Sequence, residues 1–189
     1  RDTWRGTWLN DGGVASNQAS HHIDLLQWFM GDVETVNAVT KTSIADIEVE
    51  DTMIAMLTFK NGALGIIEAT TATRPIDLEG SISILGNDGT VEIGGFAVNQ
   101  MKHWQFKETR DEDENVLEHF SVNPPDVYGF GHQAYYQHVI DCLEGNVEGM
   151  LSGHEGRKTV KLINALYASA ETGECIRLDD FNGKSRLGY

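Results

Sequence analysis

The segment EDTMIAMLTFKNGALGIIEATTAT, residues 50–73, leaves the chain few choices of fold. Met53, Ala55, Leu57 and Phe59 alternate with Thr52, Ile54, Met56 and Thr58, the period-two pattern of a strand with one apolar face. Asn61-Gly62 then supplies the residues that tolerate positive φ, and a second apolar run returns beside the first. Such a hairpin is antiparallel, and its inner face must be covered.

Further strand signals follow the same rule. VETVNAVTKTS (33–43) is rich in β-branched residues, and SISILGNDGTVEIGG (81–95) reads as a second hairpin turning at Asn87-Asp88-Gly89. NQMKHWQFKE (99–108) and VLEHFSV (116–122) read as strands flanking the acidic run TRDEDEN, taken as a solvated loop.

Helical spacing marks three segments. The first helix is expected to begin near Ser16 or Asn17 and stop at Gly31, with Ile23, Leu26, Phe29 and Met30 on its apolar face. After Pro124-Pro125, VYGFGHQAYYQHVIDCLEG places Ala134, Val139, Ile140 and Leu143 at helical spacing and ends at Gly145. The last helix opens on the capping box Ser152-x-x-Glu155 and ends at Gly173, with Val160, Ile163, Leu166, Tyr167 and Ala170 as its buried stripe. CIRL (175–178) is a candidate closing strand. The order predicts an α+β fold over residues 1–189: one large, predominantly antiparallel open sheet with helices packed on one face. The opposite sheet face meets either water or a second copy, as a homo-dimer or homo-tetramer.

The 14 basic and 29 acidic residues give a formal charge of −15, which excludes nucleic acid and anionic membrane as natural partners. Cys142 and Cys175 lack metal or redox spacing and read as reduced structural thiols of a cytoplasmic protein. The opening RDTWRGTW carries no initiator methionine, and the chain reads as a fragment of a longer protein.

Polar groups crowd the start of the first helix. Asn17, His21 and Asp24 are spaced by four and three and would share a helical face, just after Gly12-Gly13. A helix amino end disfavours a positive charge, so an imidazole there is suited to accept a proton from an alcohol. A buried, satisfied His21 with Asn17 as a simple cap is the alternative. Adjacent His21 and His22 point about 100° apart on a helix, so no metal site is expected. Tyr128, His132 and Tyr135 could line a sugar pocket, as could Trp4, Arg5 and Trp8. His154 and Arg157 suit solvated roles. The Gly129-x-Gly131 pair follows no strand and makes no dinucleotide fingerprint.

WRGTWLNDGGVASNQASHHIDLLQWFMG resembles the start of the C-terminal domain of the glucose-fructose oxidoreductase / inositol dehydrogenase (Gfo/Idh/MocA) family. The likeness continues through residues 49–73, through LEGSISILGNDGTVEI and GHQAYYQHVIDCLEGN, and to GHEGRKTVKLINALYASAETGE. It implies a two-domain oxidoreductase in which another domain binds NAD or NADP. This domain would carry the substrate face and the oligomer interface. The family's GxGxxG loop and glutamate-lysine-proline motif are not in this sequence, so the chain alone is expected to be inactive. Asn17, His21 and Asp24 fall on the family's acidic residue, histidine and aspartate. His21 would sit by the nicotinamide and the reacting hydroxyl. Asn17 departs from the acidic residue and could only orient. Asn17-Gln18 after WRGTW is most similar to the branch acting on nucleotide sugars, with Arg5, Trp8, Gln18, Tyr128 and His132 as substrate contacts. A non-catalytic carbohydrate-binding or self-association module derived from the family is the alternative.

Overall fold

The computed structural model describes residues 4–125, 129–150 and 152–189. They form two compact units, one built from residues up to Asp77 and from Ser152 onward, the other from the segment between. Both are α+β with antiparallel sheets, and the strands are shared between two sheets rather than joined in one.

The first unit holds α1 (Ser20–Met30), β1 (Val33–Lys41), β2 (Thr52–Phe59), β3 (Leu64–Thr70), α4 (Gly153–Thr172) and the short β7 (Ile176–Arg177). Its sheet order is β3-β2-β1-β7. The predicted hairpin pairs Ala55 with Ile67 and Thr58 with Leu64. Its turn is one residue longer than the Asn-Gly pair alone implies. Phe59 still bonds Ala63, leaving Lys60-Asn61-Gly62 as the loop, with Gly62 at φ 88°. The inward residues Val36, Ala38, Met53, Ala55, Leu57, Phe59 and Ile67 meet Ile23 of α1 and Leu162, Ile163, Leu166 and Tyr167 of α4 in one core. Both helices thus cover a single face, as the alternation requires.

The helix ends are partly as expected. The Ser152 hydroxyl accepts from the Glu155 N–H at 3.3 Å, and Gly173 closes α4 at φ 72°. Gly31, at φ 86°, stops α1. The start of α1 differs: the helix begins at Ser20 with Ala19 as its cap. The Ser16 hydroxyl donates backwards to the Asp11 carbonyl at 2.5 Å, so it is not available to cap a helix. Phe29 and Val160 are exposed rather than part of the apolar stripes.

The second unit is a meander of β4 (Ile82–Leu85), β5 (Gly89–Gly94) and β6 (Gln100–Phe106), with α2 (Val116–His119) against β6 and a separate α3 (Gly131–Leu143). The β4–β5 turn closes on Gly86 and Gly89, which share a 2.8 Å bond around Asn87-Asp88. Two expectations are corrected here. VLEHFSV supplies a helical turn rather than a strand, and the acidic run is anchored: the Trp104 indole donates to Asp113 at 2.8 Å. The apolar positions of α3 are not buried. Cys142 lies in α3, and Cys175 is exposed just before β7. Among the described residues, no helix is long and apolar enough to cross a membrane.

Two adjacent carboxyls close the β1–β2 connection, and both are buried: Glu50 at 2% and Asp51 at 0% exposure. Burial alone would raise the Asp51 pKa. The N–H groups of Ala45, Ile44 and Ser43 and the Thr52 hydroxyl outweigh it and hold the carboxyl at about 2. A carboxyl lower in the folded than in the unfolded chain stabilises above its unfolded value of 3.8. That stability is lost as pH falls through the folded value. Asp51→Asn is therefore expected to flatten stability between pH 4 and 2 and to cost about 2 kcal/mol near neutrality, read by urea unfolding across pH.

Candidate functional site

The site is built on the loop that leads into α1. Gly12 takes φ 65°, and its N–H bonds the Thr7 carbonyl at 2.9 Å. Gly13 lies directly on the Glu50 carboxyl, where a side chain at position 13 would collide with it. From there the loop is fastened from inside. The Gly13 N–H donates to the Tyr167 hydroxyl at 3.1 Å, the Val14 N–H to the Glu50 carbonyl at 3.1 Å, and the Ala15 N–H to Glu50 Oε1 at 3.0 Å. The Tyr167 hydroxyl in turn donates to Glu50 Oε1 at 2.9 Å. Asn17 and Ala19 N–H groups then bond the Gly13 and Val14 carbonyls, winding the chain into the helix.

This network has clear electrostatic signatures. Burial pushes the Glu50 carboxyl above its ordinary value, against the Ala15 N–H and Tyr167 hydroxyl that favour its ionised form. Glu50 Oε2 is buried without a hydrogen-bond partner among the described residues. Burial and the Glu50 charge both raise the Tyr167 phenol, so it stays a donor at any working pH.

The expected site residues emerge on the outside of this loop. His21, the second residue of α1, is exposed, which answers the question of a buried ring. Asn17 and Gln18 are exposed in the turn just before the helix. Because the helix starts after Asn17, the three-residue row of Asn17, His21 and Asp24 is not one helical face. Asn17 donates to Asp11 Oδ2 at 3.2 Å, while Asp24 accepts from the Thr159 hydroxyl of α4. His22 turns partly inward. Burial first, then His21, lowers its pKa, and its Nε2 is buried without a partner among the described residues.

The remaining candidates divide. Trp8 packs edge-on against Tyr167 with centroids 5.3 Å apart, lies under Arg186 at 4.9 Å and donates to the Glu48 carbonyl at 3.1 Å. Its ring therefore braces the loop. Arg5 is exposed and stacks at 5.1 Å on the exposed Trp4 ring. His132 is exposed in the first turn of α3, in the second unit. Tyr128 lies outside the described residues. Asp11 and Glu50 escaped the sequence reading, and Tyr167 was read there only as part of the buried stripe of α4, without its hydroxyl's bonds. The one available signal was Glu50-Asp51, an acidic pair abutting a strand whose alternate residues are core.

The arrangement offers an exposed imidazole and two amides at a helix start whose backbone is fixed by buried bonds. That is suited to binding and proton exchange with a hydroxyl-bearing ligand.

Residues 1–178 match the family described as "Oxidoreductase family, C-terminal alpha/beta domain", Gfo/Idh/MocA. The fold superposes on the WlbA dehydrogenase of Bordetella pertussis, solved with NADH and UDP-GlcNAcA, with TM-score 0.86 and 46% identity, covering 92% of this chain and 50% of that one. The WlbA dehydrogenase of Chromobacterium violaceum, solved with the same two molecules, gives TM-score 0.84 and 45% identity, covering 92% of this chain and 48% of that one. D-apiose dehydrogenase of Rhizobium rhizogenes is 27% identical, over 82% of this chain and 46% of its own length. The chain spans about half the length of the relatives it matches.

The Glu50 network makes two predictions. A raised carboxyl binds its proton more tightly in the folded chain, so stability should rise as pH falls from neutrality towards its ordinary 4.5. Glu50→Gln should remove that rise in urea titrations. Tyr167→Phe strands the buried Gly13 N–H and should cost about 1–3 kcal/mol in the same measurement.

Proposed function

The chain belongs to the Gfo/Idh/MocA oxidoreductase family, whose C-terminal α/β domain it matches, and on that premise we propose that it is the substrate-bearing domain of an NAD-dependent nucleotide-sugar dehydrogenase. The observation that carries the reading is the exposed His21 on a rigid helix start, in a chain 46% identical to a dehydrogenase solved with NADH and UDP-GlcNAcA. The proposed substrate is a UDP-sugar acid, and the reaction is oxidation of a sugar hydroxyl or its reverse.

The residues present fit a nicotinamide's neighbourhood in one respect. His21, Asn17 and Gln18 are all exposed at the start of α1, offering a ring nitrogen and two amides to a polar ligand edge. An NAD-type cofactor, when bound, would supply the acceptor for a hydride from the sugar carbon. Its phosphates are held mainly by a domain other than this one. His21 receives or relays the hydroxyl proton, and Asn17, which cannot act as a base, orients the hydroxyl. Arg5, unpaired with an acid in this fold among the described residues, is suited to a carboxylate or phosphate. Trp8 acts from beneath by holding the loop, and Gln18 is a further candidate substrate contact.

The outer face of the four-stranded sheet is proposed as the seat of a second copy. Val39 opposes Ile54 on neighbouring strands, and Met56 opposes Ile66; all four are exposed. A contiguous apolar row of this kind suits a homo-oligomer.

The oxidoreductase carrying this domain should reduce NAD⁺ with UDP-GlcNAcA, followed at 340 nm. His21→Ala should lower kcat by about 10²–10⁴-fold while leaving NAD affinity within a few-fold. Absence of turnover with every nucleotide sugar tried would refute the reading. Met56→Glu with Ile66→Glu should shift the chain to monomer in light scattering; an unchanged mass would remove the sheet-face interface.

A further inference from the structure

We infer that Asp11 is a positioning residue that fixes the Asn17 side-chain amide with its carbonyl oxygen turned out to accept a substrate hydroxyl. The inference rests on the dehydrogenase reading for its kinetic consequence and on geometry for the contact itself.

A primary amide has two faces, an NH₂ donor and a C=O acceptor, of nearly equal shape. An exposed asparagine alone would present either. Here the choice is made by charge. Asp11 Oδ2 lies 3.2 Å from Asn17 Nδ2, and an ionised carboxylate can only accept. The NH₂ must therefore face Asp11, and Oδ1 is left over. Among the described residues, no donor is bonded to that oxygen.

Asp11 is itself held in place before any ligand arrives. Its Oδ1 accepts from the Gly6 N–H at 2.7 Å, and its backbone carbonyl accepts from the Ser16 hydroxyl at 2.5 Å. The Gly6 carbonyl in turn accepts from the Glu48 N–H at 3.0 Å. Gly6 and Gly12 bracket the segment with φ of 69° and 65°, curling it so that the carboxylate of residue 11 meets the side chain of residue 17. A carboxylate anchored at one oxygen by backbone and aimed with the other at a neighbouring amide is a built support. A hydrogen bond to a charged partner holds its geometry better than a neutral one.

The consequence concerns the odd asparagine. A carboxylate at position 17 would offer an acceptor in any rotamer. Asn17 offers one only when its amide is held the right way round, and Asp11 does that holding. The site keeps an oxygen acceptor towards a hydroxyl, and its negative charge is moved to residue 11. The two positions can therefore be exchanged: asparagine at 11 can keep the Gly6 bond through its oxygen and donate through its NH₂ to a carboxylate at 17.

The test has two arms. In ¹H–¹⁵N spectra of the chain, Asp11→Ala should move the Asn17 side-chain amide signals towards those of a solvent-exposed asparagine without a carboxylate partner. Unmoved signals would overturn the contact. In the dehydrogenase carrying the domain, Asp11→Ala should lower kcat/KM by about tenfold. Asn17→Asp alone, which sets two carboxylates together, should also lower it and add a pH dependence on the acid side. The exchange Asp11→Asn with Asn17→Asp should return kcat/KM to within about threefold of the parent and abolish that pH dependence. An exchange no better than the weaker single variant, or an Asp11→Ala variant of parental kcat/KM, would overturn the positioning role. If the parent enzyme turns over no nucleotide sugar, the proposed function falls, and the amide signals alone decide the Asp11–Asn17 contact.

Discussion

The Glu50 carboxyl is the constraint on which the rest of the first unit depends. It sits almost wholly inside the protein and has no basic partner among the described residues; its bonds are to the Ala15 N–H and the Tyr167 hydroxyl. Through them three distant pieces of chain are joined: the loop before α1, the β1–β2 connection and the last helix. The arrangement explains Gly13, since the carboxyl occupies the space of a side chain there. Its neighbour Asp51 shows the other outcome of burying an acid. Four donors converge on Asp51 and hold it ionised, while two reach Glu50, and its charge is disfavoured. Adjacent carboxyls, both nearly without solvent exposure, thus behave oppositely because three N–H groups and a hydroxyl converge on Asp51, while one N–H and one hydroxyl reach Glu50.

The fold was legible where local chemistry and tertiary packing agree. The alternation in residues 52–59 survives in full because one sheet face is covered and the other is not. Ser152 and Gly173 act as the caps that their local chemistry predicts. Legibility failed where a contact outside the helical register or an unusual backbone angle overrides local preference. Ser16 has the chemistry of a cap, yet its hydroxyl is taken by the Asp11 carbonyl and the helix starts four residues later. Residues 116–119 carry apolar residues compatible with a strand but close into a helical turn after Asn115, which adopts φ 64°. No period in the sequence reports such a backbone angle.

The same division runs through the site. His21 was legible as a residue of the first helix because its place there is a local property. The bonds of Glu50 and Tyr167 to the loop were not, because they reach it across 35 and 154 residues of chain. Asp11 is only six residues from Asn17 and was missed for a different reason. The contact depends on left-handed turns at Gly6 and Gly12, and paired glycines read in a sequence say that the chain can bend, not which side chains the bend brings together.

What the buried network contributes to chemistry is restriction of α1. Ile23 is locked in the core, with Leu26 and Met30 packed against it, which fixes the depth of the helix. Asp24, bonded to Thr159 of α4, fixes its roll about the axis. The Gly13, Val14 and Ala15 N–H bonds fix where it begins. With depth, roll and origin set, His21 keeps only its side-chain torsions as freedom. Little conformational entropy remains to be lost when a ligand meets the ring, and that lowers the barrier to any reaction in which the ring must already be aligned. The polar groups Asn17, Gln18 and His21 at the start of α1 are exposed. The residues that hold them are buried because only in the interior, without competing water, do three hydrogen bonds define one geometry.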